Sequence, residues 1–154
     1  MSTLDLLIRI GLCALFGGAV GLEREISEHH AGFRTHVLVA LGAGLFTLCG
    51  IYAMEAFSAD SGVRVDPTRI AAQVVTGIGF LGAGTIIREG MTVRGLTTAA
   101  SLWVTAAIGT AVGLGALVAG AVTTAMTLVA LIFLKWLERA ILKGNRAREP
   151  EPDL

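Results

Sequence analysis

DPTRIAAQVVTGIGFLGAG, residues 66–84, is the stretch that decides the fold class. Asp66 followed by Pro67 is a helix-start signal: the carboxylate can cap the N-terminus, and proline suits the first helical position. The remainder of the stretch is apolar and glycine-rich for roughly the length that crosses a hydrocarbon core of about 30 Å. Its strongly polar side chains, Asp66, Arg69 and Gln73, stand at the mouth, spaced by three and four, so they share one helical face. A soluble amphipathic helix carries polarity along its whole length. Polarity at one end only is the pattern of a transmembrane helix with a functional end.

The pattern repeats outward from there. Residues 4–22, 36–54, 70–87, 97–114 and 117–137 are apolar, and the charges gather between them. A chain of 154 residues that is 54% hydrophobic, with mean hydropathy +0.74, holds five such crossings and little else. The expected fold is an all-α membrane protein with five transmembrane helices over residues 1–140. Residues 141–154, basic and then acidic with proline, are expected to form a disordered tail. Residues 4–22 lack the basic start of a secretory signal and carry Asp5, so they are read as a retained helix. Glycine, at twenty residues, points to close helix packing. Cys13 and Cys49 lie inside apolar runs and read as small hydrophobes.

Basic residues set the expected orientation. With the C-terminus cytoplasmic, Arg24, Arg34, Arg88, Arg94, Lys135, Arg139, Lys143, Arg146 and Arg148 fall inside; Arg9, Arg64 and Arg69 fall at the outer face. Nine against three predicts N-terminus out and C-terminus in. There is also a faint repeat: Gly18-Ala19 and Arg24-Glu25 recur 64 positions later as Gly82-Ala83 and Arg88-Glu89. It suggests a parallel repeat of two helical hairpins with a fifth helix added. Chance recurrence in glycine- and alanine-rich sequence is the competing explanation.

Several groups are candidates for chemistry. Asp66, Arg69 and Gln73 read either as a polar vestibule or as a cap, a snorkelling arginine and one interhelical hydrogen bond. Gly77, Gly79 and Gly82 match G-x-G-x-x-G, but inside a spanning segment with no preceding strand the match is rejected. Thr98, Ser101, Thr105 and Gly109 form one narrow hydroxyl face, read as glue against the glycines of the third helix or as a permeation path. Trp103 lies too deep for an interfacial belt and is assigned to packing. Residues 21–36 read as a polar cytoplasmic loop, in which Glu23, Glu25 and Glu28 could supply oxygen ligands to Mg²⁺. In the same stretch Arg34 and His36 could hold anionic headgroups of membrane lipid or an acidic partner segment. Asp5 and Arg9 are spaced to pair, and Gly17 and Gly21 suit packing within the chain or against a second copy. No nucleophile–base pair or phosphate loop is present, so neither enzymatic activity nor nucleic-acid binding is expected.

GLERE at 21–25, AGFRTH at 31–36, DPTRIAAQVVTGIGFLGAG at 66–84 and VRGLTTAASLWVTAAIG at 93–109 resemble the signature blocks of the MgtC/SapB family. The resemblance implies a polytopic protein of the bacterial inner membrane, tied to adaptation to low magnesium, to acid stress and to survival inside macrophages. Some members are described as inhibiting the rotary ATP synthase, and many are regarded as candidate magnesium transporters. The chain is expected to be the short, SapB-like form, without the C-terminal soluble domain of longer members. The motif positions carried over are Glu23, Arg24, Glu25, Arg34, Thr35, His36, Asp66, Arg69, Gln73, Thr97, Thr98, Ser101 and Trp103, none with a catalytic role. The expectation is a self-associating regulator, a dimer, docking on another membrane complex. It needs no cofactor, though Mg²⁺ remains a candidate ligand. A magnesium transporter or channel is the alternative.

Overall fold

The computed structural model describes residues 1–57, 66 and 68–146, with the backbone alone for Thr68 and residues 138–146. It contains five helices and one short hairpin: α1 (Thr3–Ile26), α2 (Phe33–Phe57), α3 (Thr68–Thr85), β1 (Ile87–Glu89), β2 (Thr92–Arg94), α4 (Leu96–Gly113) and α5 (Leu117–Arg146). Helix α1 starts where Ser2 Oγ accepts from the Asp5 backbone N–H at 3.1 Å. The turn into α4 needs Gly95, at φ 87°, because a Cβ there would run into the Thr85 carbonyl. The β1–β2 hairpin, with Arg88 opposite Val93, is absent from the sequence-based expectation; three residues per strand give too short an alternation to stand out between two apolar runs.

The core is a wedge of α1, α2 and α4, built on glycine. A Cβ at Gly17 would meet Ala40 Cβ at 2.6 Å, and one at Gly21 would meet Phe33 Cα at 2.8 Å, which seats α1 against α2. A Cβ at Gly113 would lie 2.7 Å from the Gly44 carbonyl, and one at Gly109 would strike Ala40, which seats α4 against α2. Between them Cys13, Val20, Ala40, Ile108 and Val112 are fully buried. These contacts fix directions: α1 runs opposite to α2 and α4, while α2 and α4 run alike. Ile26, Phe33, Thr85, the hairpin and Leu96 therefore share one end of the bundle, here the hairpin end. Arg9 lies at the other end, bonded to the Gly113 carbonyl at 2.9 Å and paired with Asp5 at 2.9 Å.

Outside this wedge the surface is apolar. Leu38, Leu45, Phe46, Phe80, Val118, Met126 and Ile132 are all more than half exposed, a surface that suits lipid and not water. Four helices, α1, α2, α4 and Leu117–Leu137 of α5, are long and apolar enough to cross a membrane. Helix α3 is not among them, since its 18 residues include Arg69 and Gln73; it packs on α4, with Ile78 buried against Leu102 and Ala106. Helix α5 continues to Arg146, so residues 141–146 are helical where the sequence suggests a disordered tail; 147–154 lie outside the described residues. One unbroken helix there follows from the absence of glycine or proline between Ala121 and Lys143. The halves of the suggested repeat stand in different surroundings, with Arg24 buried in α1 and Arg88 exposed on β1.

Candidate functional site

The polar stretch at 21–36 is mostly helix. Helix α1 runs on through GLERE to Ile26 and α2 begins at Phe33, leaving only residues 27–32 as loop. Glu25 Oε2 accepts from the Phe33 backbone N–H at 2.9 Å, closing the start of α2, and Glu23 Oε1 accepts from Ser27 Oγ at 2.7 Å. Arg24 and His36, expected to face the cytoplasm, are 2% and 0% exposed. The cause is Gly21: with no side chain, it lets α2 close on α1, and the neighbours of Gly21 on both helices go under cover. Arg24 Nη1 stands 3.8 Å from Glu23 Oε2, and its Nε and Nη2 are buried without a hydrogen-bond partner among the described residues. Burial pushes His29 below the ordinary imidazole range, and Arg24 and Lys135 add to the effect.

His36 joins this end to the hydroxyl face of α4. Its Nδ1 donates to the Gly32 carbonyl at 2.9 Å, and its Nε2 lies 3.1 Å from Ser101 Oγ. Ser101 Oγ bonds the Thr98 carbonyl at 2.8 Å and Thr105 Oγ1 bonds the Ser101 carbonyl at 2.8 Å, so the hydroxyl face turns inward on α2. The α3 glycines, its expected partners, are elsewhere: Gly77, Gly79 and Gly84 have open space at the Cβ position, and only Gly82 approaches α4, at Ala99. Replacing His36 by leucine removes the link to Ser101 while Gly32 keeps the His36 backbone N–H at 3.2 Å. The expected loss is about 1–2 kcal/mol of stability, read as a lowered melting temperature in detergent. An unchanged melting temperature would show the link to be neutral.

The remaining candidates do not join this cluster. Asp66 and Arg69 are exposed and 3.9 Å apart at the opposite end. Gln73, exposed, has no hydrogen-bond partner among the described residues and lines a groove between α2 and α3. Thr97 and Thr35 are exposed. Trp103, expected to pack, is half exposed over a shallow cleft between α3 and α4. The carboxylates of Glu23, Glu25 and Glu28 do not converge, and no cluster of three His, Cys, Asp or Glu capable of holding a metal occurs among the described residues. Sequence reasoning missed the groove itself, about 810 Å³, with Arg34 and Thr35 at one end and Gly42 and Gly77 along its length. The small residues Gly42 and Gly77 are its only trace in the sequence.

A glycine-packed helical bundle with an apolar exterior and basic residues gathered at one end is a polytopic membrane protein. Residues 10–140 match the MgtC family, and the chain belongs to that family. It is 46% identical over 143 residues to YhiD of Escherichia coli K12, which bears a provisional name as a magnesium transporter; the match covers 93% of this chain and 66% of YhiD. It is 49% identical over 121 residues to the protein MgtC of Salmonella typhimurium, covering 79% of this chain and 48% of that protein. Against the protein MgtC of Brucella abortus the figures are 44% over 127 residues, 82% and 50%. The chain thus spans between about half and two thirds of these relatives. No solved structure matches it.

Proposed function

We propose that this chain is a bacterial inner-membrane regulator in magnesium and stress adaptation, which acts by docking on another membrane complex and not by conducting ions or by catalysis. One observation carries the proposal: the hydroxyls buried between the helices are spent on backbone carbonyls and line no path. Thr47, Ser101, Thr105 and Thr124 bond carbonyls of their own helices, and the one nearly buried carboxylate among the described residues, Glu23, sits at the hairpin end beside Arg24 and Ser27. A path for Mg²⁺ wants oxygen ligands and room for its waters, because the ion dehydrates reluctantly. The wedge of α1, α2 and α4 offers neither.

The surface suited to docking is the hairpin end, where Arg34, Arg88, Arg94 and the 96%-exposed Met91 project. That end also gathers the basic residues, which supports placing it in the cytoplasm. Self-association falls to other small residues than Gly17 and Gly21, which are consumed between α1 and α2; Gly11 and Gly84 are open. Gln73 in an open groove, together with the name carried by YhiD, favours the second reading, a magnesium conduit completed between chains.

Proteoliposomes separate the two. The regulator predicts no saturable Mg²⁺ uptake, and reduced ATP-driven proton pumping when the rotary ATP synthase, the partner the family resemblance suggests, shares the membrane. It also predicts that Met91→Glu or Arg88→Ala relieves the inhibition while Gln73→Leu does not. Saturable Mg²⁺ flux lost in Gln73→Leu would overturn it.

A further inference from the structure

The α2–α3 groove is lined almost wholly by apolar side chains, and its polar exceptions are ordered along it. At the hairpin end stand Arg34 and Thr35 on the first turn of α2. Arg34 is exposed and makes no hydrogen bond or ion pair among the described residues. It is the one cation in the lining among those residues, and no carboxylate accompanies it. Below it the floor passes over Gly42 and Gly77, where a Cβ would find nothing within 4 Å. Arg34 to Gly42 is about 12 Å along the helix, and Arg34 to Cys49 about 22 Å; one leaflet of hydrocarbon is about 15 Å deep. Gln73 lies beyond that depth, because Ile70, one turn before it on α3, already packs on Gly50.

An occupant must therefore bring one negative charge at the membrane surface and an apolar body beneath it. Arginine offers paired donors to phosphate oxygens, and basic pockets between spanning helices bind anionic headgroups. A second helix would answer the apolar lining but would bring no negative charge to Arg34, the cation at its mouth. We infer that the α2–α3 groove is a binding site for an anionic phospholipid, its phosphate on Arg34 and Thr35 and an acyl tail laid over Gly42 and Gly77. The inference does not depend on the docking proposal, since such a lipid would sit equally on a regulator or a conduit.

Native mass spectrometry of the full chain in detergent, titrated with phosphatidylglycerol or phosphatidylcholine, tests it. Phosphatidylglycerol should be retained about five-fold better, and Arg34→Gln should abolish that preference. Gly42→Leu and Gly77→Leu, placed where an added Cβ has nothing within 4 Å, should reduce retention of both lipids while gel filtration shows an unchanged fold. Equal retention of the two lipids by the unaltered chain overturns the inference. So does binding that inorganic phosphate displaces and that ignores Gly42→Leu, because the headgroup alone would then be held. A doubled mass that Gly42→Leu abolishes would give the groove to a second copy, and equally overturn it.

Discussion

Gly109→Ala should leave little folded protein in the membrane, at a cost of about 3 kcal/mol or more for a single added methyl group. The reason is where that methyl would lie. At Gly109 the nearest atoms to a Cβ are the backbone oxygen, carbon and Cα of Ala40, and backbone cannot swing aside as a long side chain can. To admit the methyl, α4 must back away from α2 along its whole seam. That opens the contact at Gly113 and Gly44, lengthens the reach from His36 to Ser101, and exposes Ile108 and Val112, which are fully buried. In a bilayer no hydrophobic force closes the gap again, because lipid tails satisfy apolar side chains as well as protein does; close packing is what holds the helices together. Gly77→Ala is the matched control, the same change in the same kind of helix with nothing within 4 Å. It should leave the melting temperature in detergent near that of the unaltered chain. If the two variants melt alike, the α2–α4 seam is not what holds the bundle.

That contrast also marks what a sequence can and cannot disclose here. Five helices are legible because long apolar runs separated by charge have few other ways to fold. The chemistry of single residues is harder to place, because a spanning segment rich in glycine does not say which glycine meets which helix. Chain order gives Gly109 and its hydroxyl face to α3; in space Gly109 belongs to α2, since α4 follows α3 in sequence but runs parallel to α2. Gln73 and Asp66 do stand toward one end of α3, yet the groove Gln73 lines is shaped by α2, on which the periodicity of residues 66–84 is silent. The largest reversal is at GLERE and RTH, where charge density implies a solvated loop. Gly21 decides otherwise: one missing side chain draws Arg24 and His36 inside, and hydropathy has no sign for that.

Glu23→Leu should destabilise the protein by about 3–5 kcal/mol, while Glu23→Leu combined with Arg24→Met should regain most of the loss. The Arg24 side chain is 3% exposed and that of Glu23 10%, so the pair has given up most of its water. Its separation of 3.8 Å is long for a compensating contact, and Arg24 Nε and Nη2 and Glu23 Oε2 carry no hydrogen bond among the described residues. Removing the carboxylate alone leaves a guanidinium that cannot lose its proton and has no counter-charge at hand. Removing both charges removes the desolvation penalty with them, and methionine keeps much of the arginine stem's packing. Arg24→Met alone falls between, because Glu23 retains its bond from Ser27 and is the less buried partner. Thermal unfolding of the four proteins in one detergent closes the cycle, and an interaction energy of about 3 kcal/mol or more is expected. Additive losses would mean that the two side chains do not sense each other. The cycle also decides how the GLERE arginine is to be understood. Should Arg24→Met fold well and still lower proton pumping in the proteoliposome assay, its charge has no part in the proposed recognition, which would then rest on the exposed residues of the hairpin end.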